Sequence, residues 1–395
     1  MFQTRVLSRT CRIDIARELR RMGCQERGVE IMGPKAVHRL VYARNLDPRA
    51  ANIVKQEFLA AGGEAAVPWK ALDLSQNKSD ILMMGTLPQF NRAVKKLEEQ
   101  PFSLPILGEE IKKALDNFDK ELSLPWGGRK GTHIMGIINV TPDSFYDGGM
   151  ASDKDKAVER GLEMEKGGAD ILDIGGESTR PGSKPVSVEE EIHRVIPVIR
   201  ELSSKIKIPI SIDSHKPEVV RRAVEAGACV INDVYGLRDP DMLALAGELD
   251  IPVIIMHMQG TPEDMQKAPS YDDVVRDVYA YLLERSQAAI EAGVSPENII
   301  IDPGIGFGKT VAHNLELMDR IDEFRSMGYP VLLGASRKSI FGQILNKEVE
   351  DRLYGSLALA AAGVQRGVSV LRVHDVPETL DVVKTMDALK MHGNY

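Results

Sequence analysis

The chain has 395 residues, of which 43% are apolar and 27% charged, and it carries 50 Lys and Arg against 58 Asp and Glu. That length exceeds one ordinary domain and suits a barrel of about 250 residues with a smaller companion. A net charge of -8 gives no support to nucleic-acid binding, and a mean hydropathy of -0.18 with no long apolar run argues against a membrane location. An anionic small substrate stays open, because local fields rather than net charge hold a phosphate.

The N-terminal stretch MFQTRVLSRTCRIDIARELRRMG is Arg-rich like a transit peptide, but Asp14, Glu18 and a helix-like continuation speak against that role. Residues 38–44 then read as a strand, 48–61 as a helix, 64–69 and 80–86 as strands and 87–99 as a helix, which together predict a small α/β sandwich. Residues 109–122 have the pattern of an amphipathic helix, and 124–131 (LPWGGRKG) carry the Pro and Gly punctuation of a linker or lid hairpin. The domain boundary is placed near Ser123, giving an accessory domain over 1–123 and a second domain over 124–395. Residues 1–130 hold 22 Lys and Arg against 16 Asp and Glu, so the mildly basic companion contrasts with an acidic remainder. Cys11, Cys24 and Cys229 are widely separated and show no CxxC or Cys/His metal spacing, so neither a disulfide framework nor a zinc site is indicated, and a reducing cytoplasm is the expected location.

From residue 132 onward one event recurs eight times: a β-rich run ends in a polar or charged residue. The runs are 132–149, 170–176, 209–214, 229–235, 252–258, 299–304, 330–336 and 368–374. Helical patterns follow each, at 155–166, 188–203, 217–226, 241–248, 271–292, 311–325, 351–365 and 376–389. Strand then helix, eight times over, predicts a (β/α)8 TIM barrel preceded by a small α/β domain.

Inward barrel positions are normally branched apolar residues, so polar groups at strand ends call for another explanation. Asn139, Asp173, Glu177, Asp213, Asn232, His257, Asp302, Lys338, Arg372 and His374 all fall at C-terminal strand ends or just beyond them. One alone would read as a cap or a satisfied polar group, whereas ten on one rim predict an active site. The run 302–310 (DPGIGFGKT) fails the Walker pattern at Pro303 and the dinucleotide fingerprint at Lys309. What remains is a carboxylate held by a Pro-Gly turn, able to accept two parallel hydrogen bonds from an amino-pyrimidinone, with Phe307 as an aromatic face. Residues 173–182 (DIGGESTRPG) offer hydroxyls, backbone N–H groups and an Arg for anionic oxygens. Arg372 and His374 are two apart on the last strand and share a face, suited to ring stacking and phosphate binding. Lys338 lies just past strand seven, near a phosphate locus of this fold, while the neighbouring Arg337 reads as solvated.

These segments resemble the dihydropteroate synthases, the folate-pathway members of the pterin-binding barrel family. The likeness runs from residue 132 to the C-terminus through MGIINVTPDSFYDGG, DIGGESTRPG, SIDSHKPEV, INDVYG, MHMQGTP, DPGIGFGKT, GASRKSIFG, DRLYGSLA and LRVHDV, in family order. Tyr146 and Ser214 are small departures. The resemblance implies condensation of 6-hydroxymethyl-7,8-dihydropterin pyrophosphate with 4-aminobenzoate through a cation-like pterin intermediate. It also implies that Asp302, Asn232, Asp213 and Lys338 line the pterin pocket, with Gly334 beside it, Met256 packing on the ring and Arg372 stacking across it. Asn139 and His374, with the loop at 173–182 and with Mg2+ for which Asn139 is the metal ligand, would hold the pyrophosphate. Thr179, Arg180, Pro181, Phe307 and Ser339 would form the aminobenzoate subsite, and Asp213, Asn139, Lys338 and Arg372 would act catalytically. A homodimer through late barrel helices including 351–365 is implied as well. Two other readings remain: a methyltransferase using a methylated reduced folate, and a non-catalytic pterin-binding regulatory protein.

Overall fold

The computed structural model describes residues 2–8, 11–141, 150–178, 183 and 185–390, with side chains at 150–152 excepted. They form two compact units, Met1–Lys120 and Glu121–Tyr395. Among the described residues no helix is long and apolar enough to cross a membrane.

In the first unit, strands β1 (His38–Leu46), β2 (Glu64–Ala66) and β3 (Ser79–Thr86) form an antiparallel sheet in the order β1-β3-β2. Burial alternates along β3, and Ile81 and Met83 pack with Val54, Phe58, Phe90, Leu97, Leu104 and Ile111 from the helices Pro48–Ala60, Leu87–Leu97 and Leu104–Asp119. The period of two on the strand and the helical spacing of the partners build this core directly. Two local expectations shift. The strand expected over 64–69 ends at Ala66, because Pro68 lacks a ladder donor and Trp69–Leu72 begins a helical turn. The helix expected over 109–122 runs from Leu104 to Asp119, with Pro105 in its first turn. Helices Arg12–Arg21 and Glu26–Ala36 precede β1.

The second unit is the barrel. Strands β4 (His133–Asn139), β5 (Ile171–Gly175), β6 (Ile210–Asp213), β7 (Val230–Asp233), β8 (Val253–Met256), β9 (Ile299–Asp302), β10 (Leu332–Leu333) and β11 (Val370–Val373) pair in parallel in the order β10-β11-β4-β5-β6-β7-β8-β9. The bridge between Ile301 and Val331, with the Ile301 N–H donating to the Pro330 carbonyl at 3.0 Å, closes the ring. Helices alternate with the strands, the longest being Met150–Lys166, Val188–Lys205 and Val274–Glu291. The helix expected over 311–325 stops at Asp319 and continues as 3-10 turns over Ile321–Met327.

Two cores follow from strand alternation. Outward residues such as Ile138, Ile174, Ile212, Ile231, Ile255 and Ile301 pack under the helices. Inward residues Met135, Ile171, Val230, Ile254, Ile300, Leu332 and Val370 pack around Leu124, with Trp126 against them. Residues 124–131 therefore close the N-terminal end of the barrel, in place of the expected linker or lid. The Trp126 indole N–H donates to His133 Nδ1 at 3.2 Å, and His133 Nε2 meets the Arg129 carbonyl oxygen at 2.7 Å, which pins the plug to β4. Leu124→Ala empties that floor and should lower the unfolding free energy by about 2–4 kcal/mol. Urea denaturation checks this, and a loss below about 1 kcal/mol would mean that Leu124 does not support the ring.

Candidate active site

The inward alternation that gives the floor carries upward into polar residues. On β5, β7, β9 and β11 the positions two residues past Ile171, Val230, Ile300 and Val370 are Asp173, Asn232, Asp302 and Arg372. Met256 stands two past Ile254, Gly334 two past Leu332, and Asp213 ends β6. The same periodicity that builds an apolar floor thus lays a charged layer over it.

Arg372 holds this layer together. Its Nε donates to Asp173 Oδ2 at 2.6 Å and its Nη2 to Asp213 Oδ2 at 2.6 Å. Asn232 Nδ2 donates to the same Asp173 oxygen at 3.0 Å, while Asp173 Oδ1 has no partner among the described residues. Asp173 is fully buried, and Asp213 and Asn232 nearly so. Burial pushes the Asp213 carboxyl up to about 7, against the pull of Arg372 and with help from Asp173, Glu191 and Asp233. Burial works against the Arg372 charge, but Asp173 and Asp213 outweigh it and hold the guanidinium firmly protonated.

Asp302 is raised by burial too, opposed by the Gly304 N–H, which donates to its Oδ1 at 2.7 Å, and by Lys338. Gly304 has a φ of +70°, and a Cβ there would lie 2.0 Å from the His257 carbonyl oxygen, so only glycine permits this turn. Gly334 keeps space in front of Asp302: a Cβ on it would find Asp302 Oδ2 at 3.9 Å and Arg372 Cβ at 4.0 Å as nearest neighbours. The Lys338 ammonium lies 3.9 Å from the centroid of the Phe307 ring, which clusters with Val234, Met256, Met258 and Met265. His374 accepts or donates at Nδ1 with the Ser336 hydroxyl at 3.0 Å, and burial, then Arg372, holds its imidazole neutral with a pKa of about 3. Asn139 ends β4 on the inward face shared with Met135. Ser339 is exposed just before the helix Ile340–Leu345. Thr179, Arg180, Pro181 and Tyr146 lie outside the described residues.

Two of the polar candidates, and the neighbour of a third, are engaged by other side chains. His257 packs edge-on against Tyr281 and meets Lys309 Nζ at Nδ1, 2.9 Å. Glu177 pairs with Lys216. Arg337, read as solvated, forms a two-pronged pair with Asp375 at 3.0 and 2.6 Å. Lys309, passed over as a failed motif position, is only 2% exposed and donates to the carbonyl oxygens of Gly304 and Phe307, each at 2.9 Å. It staples the loop that presents Asp302 and Phe307, and burial lowers its pKa to about 7. The available signal was a lone lysine inside a glycine-rich turn that matches no nucleotide motif.

An apolar floor, a carboxylate-rich upper layer and an aromatic–methionine wall thus meet in one barrel. The pterin binding enzyme family matches residues 135–374, and the chain belongs to it. Dihydropteroate synthase of Escherichia coli strain K12 is 47% identical over 256 residues, covering 65% of this chain and 91% of that protein. The solved structure of Xanthomonas albilineans dihydropteroate synthase with 4-aminobenzoic acid is 48% identical with a TM-score of 0.63, covering 66% of this chain and 93% of that one. A probable bifunctional folylpolyglutamate synthase/dihydropteroate synthase of Halobacterium salinarum is 44% identical across 96% of this chain. This chain spans 46% of that protein, about half its length.

The Asp213 shift has a consequence for stability. Its pKa is raised from an unfolded value near 4 to about 7, so between those pH values the unfolded chain releases a proton that the folded protein keeps. Wild-type stability therefore falls as pH rises through this window. Asp213→Asn lacks the effect, and its stability relative to wild type should improve by about 3 kcal/mol from pH 4.5 to pH 8. Urea denaturation at both pH values measures it; a flat difference would mean that Asp213 is ionised throughout.

Proposed function

We propose that this protein is a dihydropteroate synthase, condensing 6-hydroxymethyl-7,8-dihydropterin pyrophosphate with 4-aminobenzoate to give 7,8-dihydropteroate and pyrophosphate. The observation that carries the reading is the layer of Asp213, Asn232, Asp302 and Arg372 beneath the Met256–Phe307 wall, on a barrel 47–48% identical to such synthases. The methyltransferase and regulatory readings gain no observation of their own.

Asp302, with one oxygen tied to the Gly304 N–H and the other facing the space at Gly334, is suited to accept the paired N–H groups of the pterin's amino-pyrimidinone edge. Asn232 can bond the remaining ring heteroatoms, Lys338 can donate to the ring carbonyl or N5, and Met256 packs on the apolar face. Hydrogen bonds to charged groups of this kind contribute about 1.5–3 kcal/mol each. Arg372 presents its guanidinium plane across the open face, fixed there by Asp173 and Asp213.

An aromatic amine is a weak nucleophile, so the C–O bond to pyrophosphate breaks first and leaves a pterin-stabilised cation, which the amine then captures with loss of a proton. Asp213, when ionised, stabilises the developing positive charge, and the low dielectric around it magnifies that effect. His374, held by Ser336, and the loop with Thr179, Arg180 and Pro181 receive the anionic oxygens and the arylamine respectively, with Phe307 and Ser339 beside the latter. Among the described residues no cluster of three acidic, His or Cys side chains exists that would form a protein-only metal cage. Asn139 at the rim of β4 supplies one hard oxygen, a donor set that fits Mg2+, which commonly keeps few protein ligands and shares substrate phosphates. Bound there, Mg2+ would neutralise charge on the departing pyrophosphate.

A cytoplasmic location and a homodimer belong to the same proposal. The dimer reading is supported by exposed Ile344, Leu345, Val349 and Tyr354 leading into the helix Leu353–Gln365.

Labelled 4-aminobenzoate should enter a pteroate product only when the pterin pyrophosphate and Mg2+ are both present. In that assay Asp213→Asn should lower kcat by about 100-fold or more while pterin affinity changes by less than about threefold. Equal losses in both would remove Asp213 from the transition state, and product formed without the pyrophosphate ester would refute the synthase reading.

A further inference from the structure

Lys216 lies three residues past Asp213, immediately before the helix Pro217–Ala226, and takes no part in the layer described above. Its side chain is 14% exposed and its ammonium donates three ways: to Glu177 Oε2, to the Val186 carbonyl oxygen at 2.6 Å, and to Glu191 Oε2 at 2.6 Å. The Val186 N–H donates back to Glu177 Oε2 at 3.3 Å, and the Ser183 hydroxyl donates to the Ser178 carbonyl. Glu177 and Ser178 lead into the glycine-rich loop after β5, while Ser183 and Val186 lead out of it. Both ends of that loop are thereby joined to each other and to the segment that follows β6. Arg194, on the same helix as Glu191, donates to the Gly176 carbonyl at 2.9 Å and adds a second tie.

The energetics argue that this is more than a stabilising contact. Glu191 is 1% exposed and its Oε1 has no partner among the described residues, so the cluster keeps one lysine against two largely desolvated carboxylates. Buried ion clusters recover their desolvation cost poorly, and apolar residues would serve stability as well or better. What such a cluster does provide is one geometry, because any displaced member leaves a buried charge unpaired. Burial draws the lysine charge down, yet Glu177 and Glu191 more than compensate, so the ammonium persists. Glu177 and Ser183 also line, with Pro185, Tyr235, Thr261 and Pro262, a cleft between this loop and those after β7 and β8.

We propose that Lys216, with Glu177 and Glu191, is a positioning clasp that sets the neck of the loop after β5 against the strand bearing Asp213 and so prepares the arylamine subsite. It acts through the loop and touches neither substrate. The proposal rests on the synthase reading.

Glu177→Ala releases the loop while leaving the Lys216–Glu191 pair intact. If the receptive arrangement falls to about a tenth of the population, the KM for 4-aminobenzoate rises about tenfold. Meanwhile kcat at saturating arylamine should stay within about threefold and the Kd for the pterin pyrophosphate, by calorimetry, within about twofold. Glu177→Gln, which retains an oxygen acceptor for Lys216, should restore most of the loss. Should Glu177→Ala not fold, Lys216→Arg carries the same test, since a planar fork cannot reproduce three contacts made by a point donor. An arylamine KM within about twofold of wild type overturns the clasp, as does a parallel rise in KM and pterin Kd, which marks general loosening. A wild-type protein that forms no pteroate overturns the synthase reading and the proposal with it, whereas an active wild type isolates the clasp.

Discussion

The structure depends on one guanidinium shared by two carboxylates inside a closed barrel. Arg372 on β11 reaches past β4 to Asp173 on β5 and Asp213 on β6, with both contacts at 2.6 Å. Removing these charges from water is costly, and only the full set of partners offsets that cost. Asp302 joins the two acids in the same layer, and Asp173 keeps an oxygen without a partner among the described residues. Burial, helped by Asp173 and opposed by Arg372, lifts Asp213 to about 7. A one-residue register slip would turn every one of these groups outward, so the barrel's strand pairing and its chemistry are the same constraint.

Around this layer the molecule spends several charged and polar groups on holding loops. Lys309 ties the carbonyls of Gly304 and Phe307, Gly304 makes the turn that lets its N–H reach Asp302, and His257 closes the set. Arg337 is bound to Asp375 and donates its own backbone N–H to the Ser356 hydroxyl oxygen, at a φ of +55° that fixes where Lys338 emerges. Lys216 plays the equivalent part for the loop after β5. Side chains outside the Arg372 layer thus hold the loops around it.

The other end of the barrel is built for stability alone. Leu124 and Trp126 seal a ring of seven inward apolar residues, one from each of seven strands. This division, with chemistry at the C-terminal face and packing at the N-terminal face, is the general property of the fold and allows the upper layer to hold unsatisfied charge without unfolding the ring.

The eightfold recurrence of a β-rich run ending in a polar residue, followed by a helical period, was legible along the chain because backbone periodicity and turn chemistry are local. The inward or outward facing of Asp173, Asn232, Asp302 and Arg372 was legible for the same reason, since alternation counts residues and needs no partner. Local signals misplaced the plug at 124–131, where Pro and Gly marked a break in the chain but said nothing of the barrel end that Leu124 fills. They also could not show that His257, Glu177 and Arg337 meet Lys309, Lys216 and Asp375, because those partners lie 52, 39 and 38 residues away along the chain. Lys309 showed the same blindness in reverse, a buried staple inside what looked like a failed phosphate loop. The sequence alone determined the architecture and the rim on which polar residues gather, through short-range periodicity. Only the tertiary structure decided which rim charges find partners, because pairing joins residues as far apart as Asp173 and Arg372, and no local pattern records that distance.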